Sequence, residues 1–137
     1  MVEKWIIPCS PKFFDVVDYF EKNSRIVWKR SSSIHKDDIV YIYVGKPYSE
    51  IKYRCHVVEE NVSEEIVKEN QYAVPKASAE NYKYLMLELD YRYPSGTFDF
   101  QSLKAHGLGQ VQKQARIYKD LIEFIDNKES EIKEERG

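Results

Sequence analysis

Cysteine is nearly absent from this chain, with two in 137 residues, Cys9 and Cys55. Two thiols do not make the framework of a small secreted domain, and they fit a reduced, cytoplasmic setting. No run of eighteen apolar residues occurs, and no basic-then-apolar leader opens the sequence, so neither a membrane span nor a signal peptide is expected. Metal-ligand spacing is missing too. Cys9, Cys55, His35, His56 and His106 fall into no CxxC, HxxxH or HExxH pattern, and zinc sites and Cys-His pairs are usually built on such local pairs. We expect no metal and no cofactor. An excess of positive charge is lacking as well: 21 Lys and Arg stand against 23 Asp and Glu, for a net charge of −2. That excludes a grip on nucleic acid by bulk electrostatics alone. Residues 126–137 hold five acidic and three basic side chains, which leaves the body balanced at 18 of each. A balanced body still has local basic patches at Lys29-Arg30, Lys52 with Arg54, and Lys113 with Arg116.

Aromatic rings, by contrast, are plentiful: eleven Tyr, six Phe and two Trp. They serve cores and also line sites that stack on planar ligands. The length suits one domain with a real core, and no internal repeat is visible. Trp5 to Pro8 reads as a strand. Ser10-Pro11 then predicts a helix start, with Phe13, Val16, Val17 and Phe20 on one apolar face and an end near Asn23. Arg25 to Lys29 is a second strand, and "RSSSIHKDD" is a polar loop. In the next strand Val40, Ile42 and Val44 point one way and Ile39, Tyr41 and Tyr43 the other, so it is buried on both faces. In the return strand Ile51, Tyr53, Cys55 and Val57 share a face, opposite Lys52, Arg54 and His56, which predicts half exposure. Asn61 to Ala79 reads as a long connection with room for a helical turn. Tyr82 to Tyr91 is a further strand, with Tyr84, Met86, Glu88 and Asp90 opposite Leu85, Leu87, Leu89 and Tyr91. Asp99 to His106 is a short helix closed by Gly107, and Arg116 to Ile125 a final helix before a frayed, charged tail. The fold class is α+β, a curved mixed sheet or barrel with flanking helices.

Four clusters carry candidate chemistry. Trp28, followed by Lys29, Arg30, Ser31, Ser32 and Ser33, offers an indole for stacking with cations and hydroxyls for phosphate; on the residues alone, a core Trp beside a solvated loop is the more ordinary reading. Gly45-Lys46 is no phosphate loop, because Val40 stands where the upstream glycine is needed and Pro47 where Ser or Thr is needed. It is a turn whose backbone can border a pocket. Glu59-Glu60 and Glu64-Glu65 lie in a polar connection, where solvated carboxylates are the ordinary state. In "GLGQVQKQARI", residues 107–117, Gln112 can read a base edge and Lys113 and Arg116 can meet phosphate, or the segment is simply an approach to the last helix.

"WIIPCSP", "VWKRSSSIHKDDIVYIYVG", "IKYRCHVVE" and "LKAHGLGQVQKQARIYKDLIEFI" together resemble the EVE domain of the PUA-like superfamily, from Trp5 to about Ile125. The family's Gly-Asp before the third strand is Asp37-Asp38 here. The resemblance implies a PUA-like curved β-barrel over residues 1–125, with 126–137 as a charged tail. It also implies a pocket that receives a flipped, modified base, with Trp28 as the pocket tryptophan, Ser10, Tyr43 and Gly45 beside it, and Lys29 to Ser33 as a contact loop. Gln112 and Arg116 are weaker carry-overs. The expected function is a non-enzymatic module that reads a modified, cytosine-derived base in DNA or RNA. Its basic rim would be Lys12, Lys29, Arg30, Lys113 and Arg116. The alternatives are a nucleotide- or nucleobase-processing enzyme, which needs His35 or His56 within reach of a cleft cysteine or carboxylate, and a protein-interaction adaptor.

Overall fold

In the computed structural model, residues 2–69 and 83–136 are described. Six strands form one sheet: β1 (Lys4–Cys9), β2 (Arg25–Lys29), β3 (Ile39–Val44), β4 (Glu50–Glu59), β5 (Tyr84–Arg92) and β6 (Ala115–Arg116). Four helices flank it: α1 (Val16–Lys22), α2 (Glu64–Glu69), α3 (Phe100–Ala105) and α4 (Lys119–Arg136). The spatial order is β2-β5-β4-β3-β1-β6, with β1 and β3 parallel and the other neighbours antiparallel. The expected barrel is therefore an open sheet, since no backbone ladder joins β2 to β6 among the described residues.

Strand β3 is central, and its two faces divide the core as its alternation predicts. Val40, Ile42 and Val44 join Trp5, Ile7 and Cys9 of β1 in a layer closed by Val16 and Phe20 of α1. Tyr41 joins Ile6 in a second layer covered by Leu103 of α3 and by Leu121 and Ile125 of α4. A third, smaller cluster sets Val67 of α2 against Val27 and Tyr84.

Two expected alternations fail, for one reason. Ile42 pairs with Tyr53 but Tyr43 pairs with Ile51, so Lys52 is an extra residue in β4. Such a bulge reverses the facing of whatever follows it. Ile51 accordingly packs in the second layer while Tyr53, Cys55 and Val57 pack in the first. Likewise Arg54 pairs with Tyr91 and Cys55 with Leu89, which makes Asp90 the extra residue and turns Tyr91 away from Leu85, Leu87 and Leu89.

The first helix starts later than expected. Asp15 caps it by accepting the amide of Asp18 at 3.1 Å, while the carbonyl of Ser10 accepts the amides of Phe13 and Phe14 in a tight turn. Phe13 is 89% exposed and belongs to no helical face. Arg116, expected to open the last helix, lies in β6 opposite Trp5. The last helix does not stop at Ile125 but continues to Arg136. On it Glu129 is only 9% exposed and Asp126 meets Lys4 at 3.1 Å, so the charged run is a packed helix rather than a frayed tail. Gly107, at φ 97°, closes α3 as expected, its amide and that of Leu108 returning to Lys104 and Leu103. Of the Asn61–Ala79 connection, α2 supplies the helical turn; the remainder from residue 70, and Tyr82, lie outside the described residues.

The cationic face of β4 meets acidic neighbours, and it is more deeply covered than half exposure implies. Arg54 Nη1 is 2.7 Å from Glu129 Oε2, Lys52 Nζ 3.8 Å from Glu50 Oε2, and His56 Nδ1 2.7 Å from Asp90 Oδ1.

Candidate functional site

The residues expected to form a pocket gather where β1 and β3 end side by side. Cys9 pairs with Val44, and the Gly45 amide donates to the Cys9 carbonyl at 2.9 Å. A Cβ at Gly45 would meet Pro11 Cδ at 3.9 Å, which sets Gly45 directly against the turn that runs from Ser10 to Phe14. On the other flank of this turn, the Phe14 ring meets Trp28 edge-on, with centroids 6.3 Å apart and planes at 72°. Trp28 is half-buried and packs on the first core layer. The turn thus has Trp28 and Phe14 on one side and Gly45 on the other.

Beyond Gly45 lies a cleft of about 370 Å³ lined by Tyr43, Gly45, Lys46, Ser49, Phe100, Gln110, Val111 and Gln112. Tyr43 and Phe100 face each other at 6.4 Å in an edge arrangement. Burial pushes the Tyr43 hydroxyl above its ordinary range, and an interaction with the Ser49 side chain pulls part of that back. The cleft brings Tyr43, Gly45 and Gln112 together. Phe100 and Ser49 are members that sequence reasoning did not single out, and Lys46 was read only as part of a turn. Phe100 carried a signal, an aromatic at the first position of a capped helix, but its approach to Tyr43 depends on the fold. Trp28 is not in the lining of this cleft.

The contact loop is held by Gln114, a residue of the 107–117 segment that sequence reasoning did not single out. Gln114 Oε1 accepts the Ser31 amide at 2.9 Å and the Ser32 hydroxyl at 3.1 Å, and Gln114 Nε2 donates to the Lys29 carbonyl at 2.6 Å. One side chain therefore does the work of a backbone bridge between the end of β2 and the residue before β6, the two edges of the sheet. Only a strongly curled sheet brings these edges to one residue. Replacing Gln114 by alanine is expected to cost about 1–2 kcal/mol, because the Ser31 amide and the Lys29 carbonyl lose their partner. Hydrogen exchange is the sharper readout: the Ser31 amide should exchange at least tenfold faster in the variant, and unchanged exchange contradicts the clamp.

The remaining expected contacts divide. Arg30 Nε donates to the Ile34 carbonyl at 2.9 Å and so shapes the loop. Arg116 lies over the Trp5 ring at 5.3 Å and near Glu3 Oε2 at 3.7 Å. Lys12, Ser33 and Lys113 are exposed, as is Ser10, whose contribution is the carbonyl that fixes the turn. Asp38, 2% exposed, fixes the loop from below: it accepts Trp5 Nε1 at 2.9 Å, the His35 amide at 2.9 Å and the Glu3 amide at 3.0 Å. Asp37 ahead of it has φ 73°, the left-handed geometry that glycine takes most easily and Asp tolerates.

No protein-family model matches the chain, and no curated protein does. Solved structures do match. ASCH from Zymomonas mobilis superposes with TM-score 0.63 at 10% identity, covering 91% of this chain and 94% of that one. A hypothetical protein from Leishmania major gives 0.66 at 16% identity over 97% and 98%, and Rpa0253 from Rhodopseudomonas palustris 0.60 at 11% over 93% and 92%. The architecture is thus an ASCH-like fold. No helix among the described residues is long and apolar enough to cross a membrane.

Proposed function

We propose that this chain is an EVE-like, non-enzymatic nucleic-acid-binding module that reads a modified, cytosine-derived base in DNA or RNA. The observation that carries the reading is the placement of aromatic rings on both flanks of one short turn at the open ends of β1 and β3. Trp28, braced by Phe14, is the ring on which the flipped base stacks. The cleft of Tyr43, Phe100 and Gln112 beyond Gly45 receives the neighbouring part of the strand. Extruding a base costs a few kcal/mol, and stacking together with hydrogen bonds to its edge offsets that. Lys12, Lys29 and Lys46 supply the cations for the flanking phosphates. A cytoplasmic location belongs to the same proposal, supported by two unpaired thiols.

Binding rather than turnover is supported by the state of the candidate nucleophiles. Burial, with Asp15 nearby, pushes the Cys9 thiol up to about 12, and burial pushes Cys55 further in the same direction. Neither is a thiolate at neutral pH. One observation favours an enzyme instead: His56 is bonded to Asp90, which lines a cavity of about 320 Å³ with Arg54, Tyr91, Glu129 and Lys133. The other ring nitrogen of His56, however, lies 3.6 Å from Glu88. Both nitrogens face carboxylates, which leaves none to serve a substrate.

The test is a fluorescence titration of single-stranded and duplex oligonucleotides, in DNA and RNA, carrying 5-methylcytosine, 5-hydroxymethylcytosine or cytosine. At least one modified strand should bind about tenfold tighter than its plain counterpart, and Trp28→Ala should abolish the preference. Equal, weak binding to all of them, unchanged in Trp28→Ala, would remove the reading.

A further inference from the structure

A second cavity adjoins the Tyr43–Phe100 cleft, and Gln110 and Val111 line both. It measures about 370 Å³ and opens between the segment that follows α3 and the start of α4. Its floor is apolar, made by the buried side chains of Ile6, Ile117 and Leu121. Its rim carries two cations, Lys113 and Arg116, and the ring of Tyr118, which is 71% exposed. His106 and Asp120 also line it, 3.5 Å from each other. The Arg116 guanidinium is held in place over the Trp5 ring, with Glu3 Oε2 3.7 Å from its Nε.

An apolar floor, an exposed aromatic ring and two cations on one rim suit a planar group joined to an anion. A nucleotide is such a group, with its base on the phenol ring and its phosphate between Lys113 and Arg116. The shared wall of Gln110 and Val111 makes the occupants of the two cavities neighbours, as successive units of one strand are. We propose that this cavity is a second nucleotide site, which holds the nucleotide next to the one in the Tyr43–Phe100 cleft, on the strand that carries the modified base. The proposal rests on the nucleic-acid reading above and extends it from one recognised base to a short stretch of chain.

Fluorescence anisotropy tests it with single-stranded 10-mers that carry one 5-methylcytosine, in deoxy and ribo arms, and with the same strands made abasic on one or the other side of it. Wild-type protein, Tyr118→Ala and Lys113→Gln are compared, with Trp28→Ala as the reference; both new substitutions lie at exposed positions. Tyr118→Ala is expected to bind the intact strand about tenfold more weakly, as loss of one stacked base would give. The abasic lesion on one side should weaken wild-type binding by a similar factor and leave the Tyr118→Ala affinity unchanged. Lys113→Gln should lower the slope of log affinity against log salt by about one. If both variants bind the intact strand within twofold of wild type while Trp28→Ala weakens it, the second site is wrong and the base reader stands. If wild-type protein binds none of the strands, both fall.

Discussion

Replacing Glu129 with alanine is expected to destabilise the protein by about 3 kcal/mol, the cost of removing one partner from a part-buried ion pair together with the acceptor of a buried hydroxyl. Glu129 ties α4 to the sheet, as Asp126 does through Lys4. Its Oε2 accepts Arg54 Nη1 at 2.7 Å, and its Oε1 accepts the Tyr93 hydroxyl. Burial and that bond to Glu129 push the Tyr93 hydroxyl far above its ordinary range. Without the carboxylate, Arg54 keeps its charge beneath the helix with no acceptor. The measurement is urea unfolding, with a lower midpoint and an unchanged slope expected. The double variant Arg54→Met, Glu129→Leu should recover the part of the loss that comes from the uncompensated Arg54 charge, while the Tyr93 hydroxyl still lacks its acceptor. A loss below about 1 kcal/mol in Glu129→Ala would mean that the pair behaves as a solvated surface bridge.

Asp38→Ala is the second large effect, about 3 kcal/mol or more. Three donors then lose their acceptor at once: the Trp5 indole and the amides of His35 and Glu3. Each buried donor left unpaired costs about 1–3 kcal/mol, and water that enters the vacated space returns part of the total. This substitution also bears on function, because Asp38 anchors the end of the loop whose beginning Gln114 holds. Thermal unfolding should report the stability loss, and the Trp5 indole N–H resonance should lose its hydrogen-bonded position. An indole resonance that stays in place would show that another acceptor holds Trp5. Asp38→Asn, which keeps acceptors for some of the three donors, should fall between wild type and Asp38→Ala.

Much of the core was legible because alternation along a strand is a local property. Ile39 to Val44 divides between two layers as its pattern demands, and the Cys9–Gly45 neighbourhood follows once β1 and β3 pair. Register was not legible. The extra residues at Lys52 and Asp90 leave no local signature, yet each turns the next side chain to the opposite face. The late start of α1 was within reach, since Asp15 stands three residues before Asp18, but Ser10-Pro11 offered a competing start. The end of α4 was obscured by composition. Five acidic residues after Ile125 suggest a solvated tail, although Leu121, Ile125, Glu129 and Ile132 recur at helical spacing on one face, and a buried carboxylate requires a partner from a distant strand. At the candidate site, Trp28, Gly45 and the serine loop were visible as residue types. Phe100, and the clamp made by Gln114, come from chain segments that only the curled sheet brings close.

The central claim, that a modified base is read beside the Ser10–Phe14 turn, is tested most directly by following the protein's indole and backbone N–H resonances during titration. Equal amounts of a 10-mer carrying 5-methylcytosine, or plain cytosine, would be added to the wild-type chain. The account predicts saturable shifts of the Trp28 indole N–H and of the Gly45, Ser31 and Gln112 amides, with the methylated strand saturating at about a tenth of the concentration. Shifts confined to the β4–α4 face around Arg54 and Glu129, or identical curves for the two strands, would contradict it.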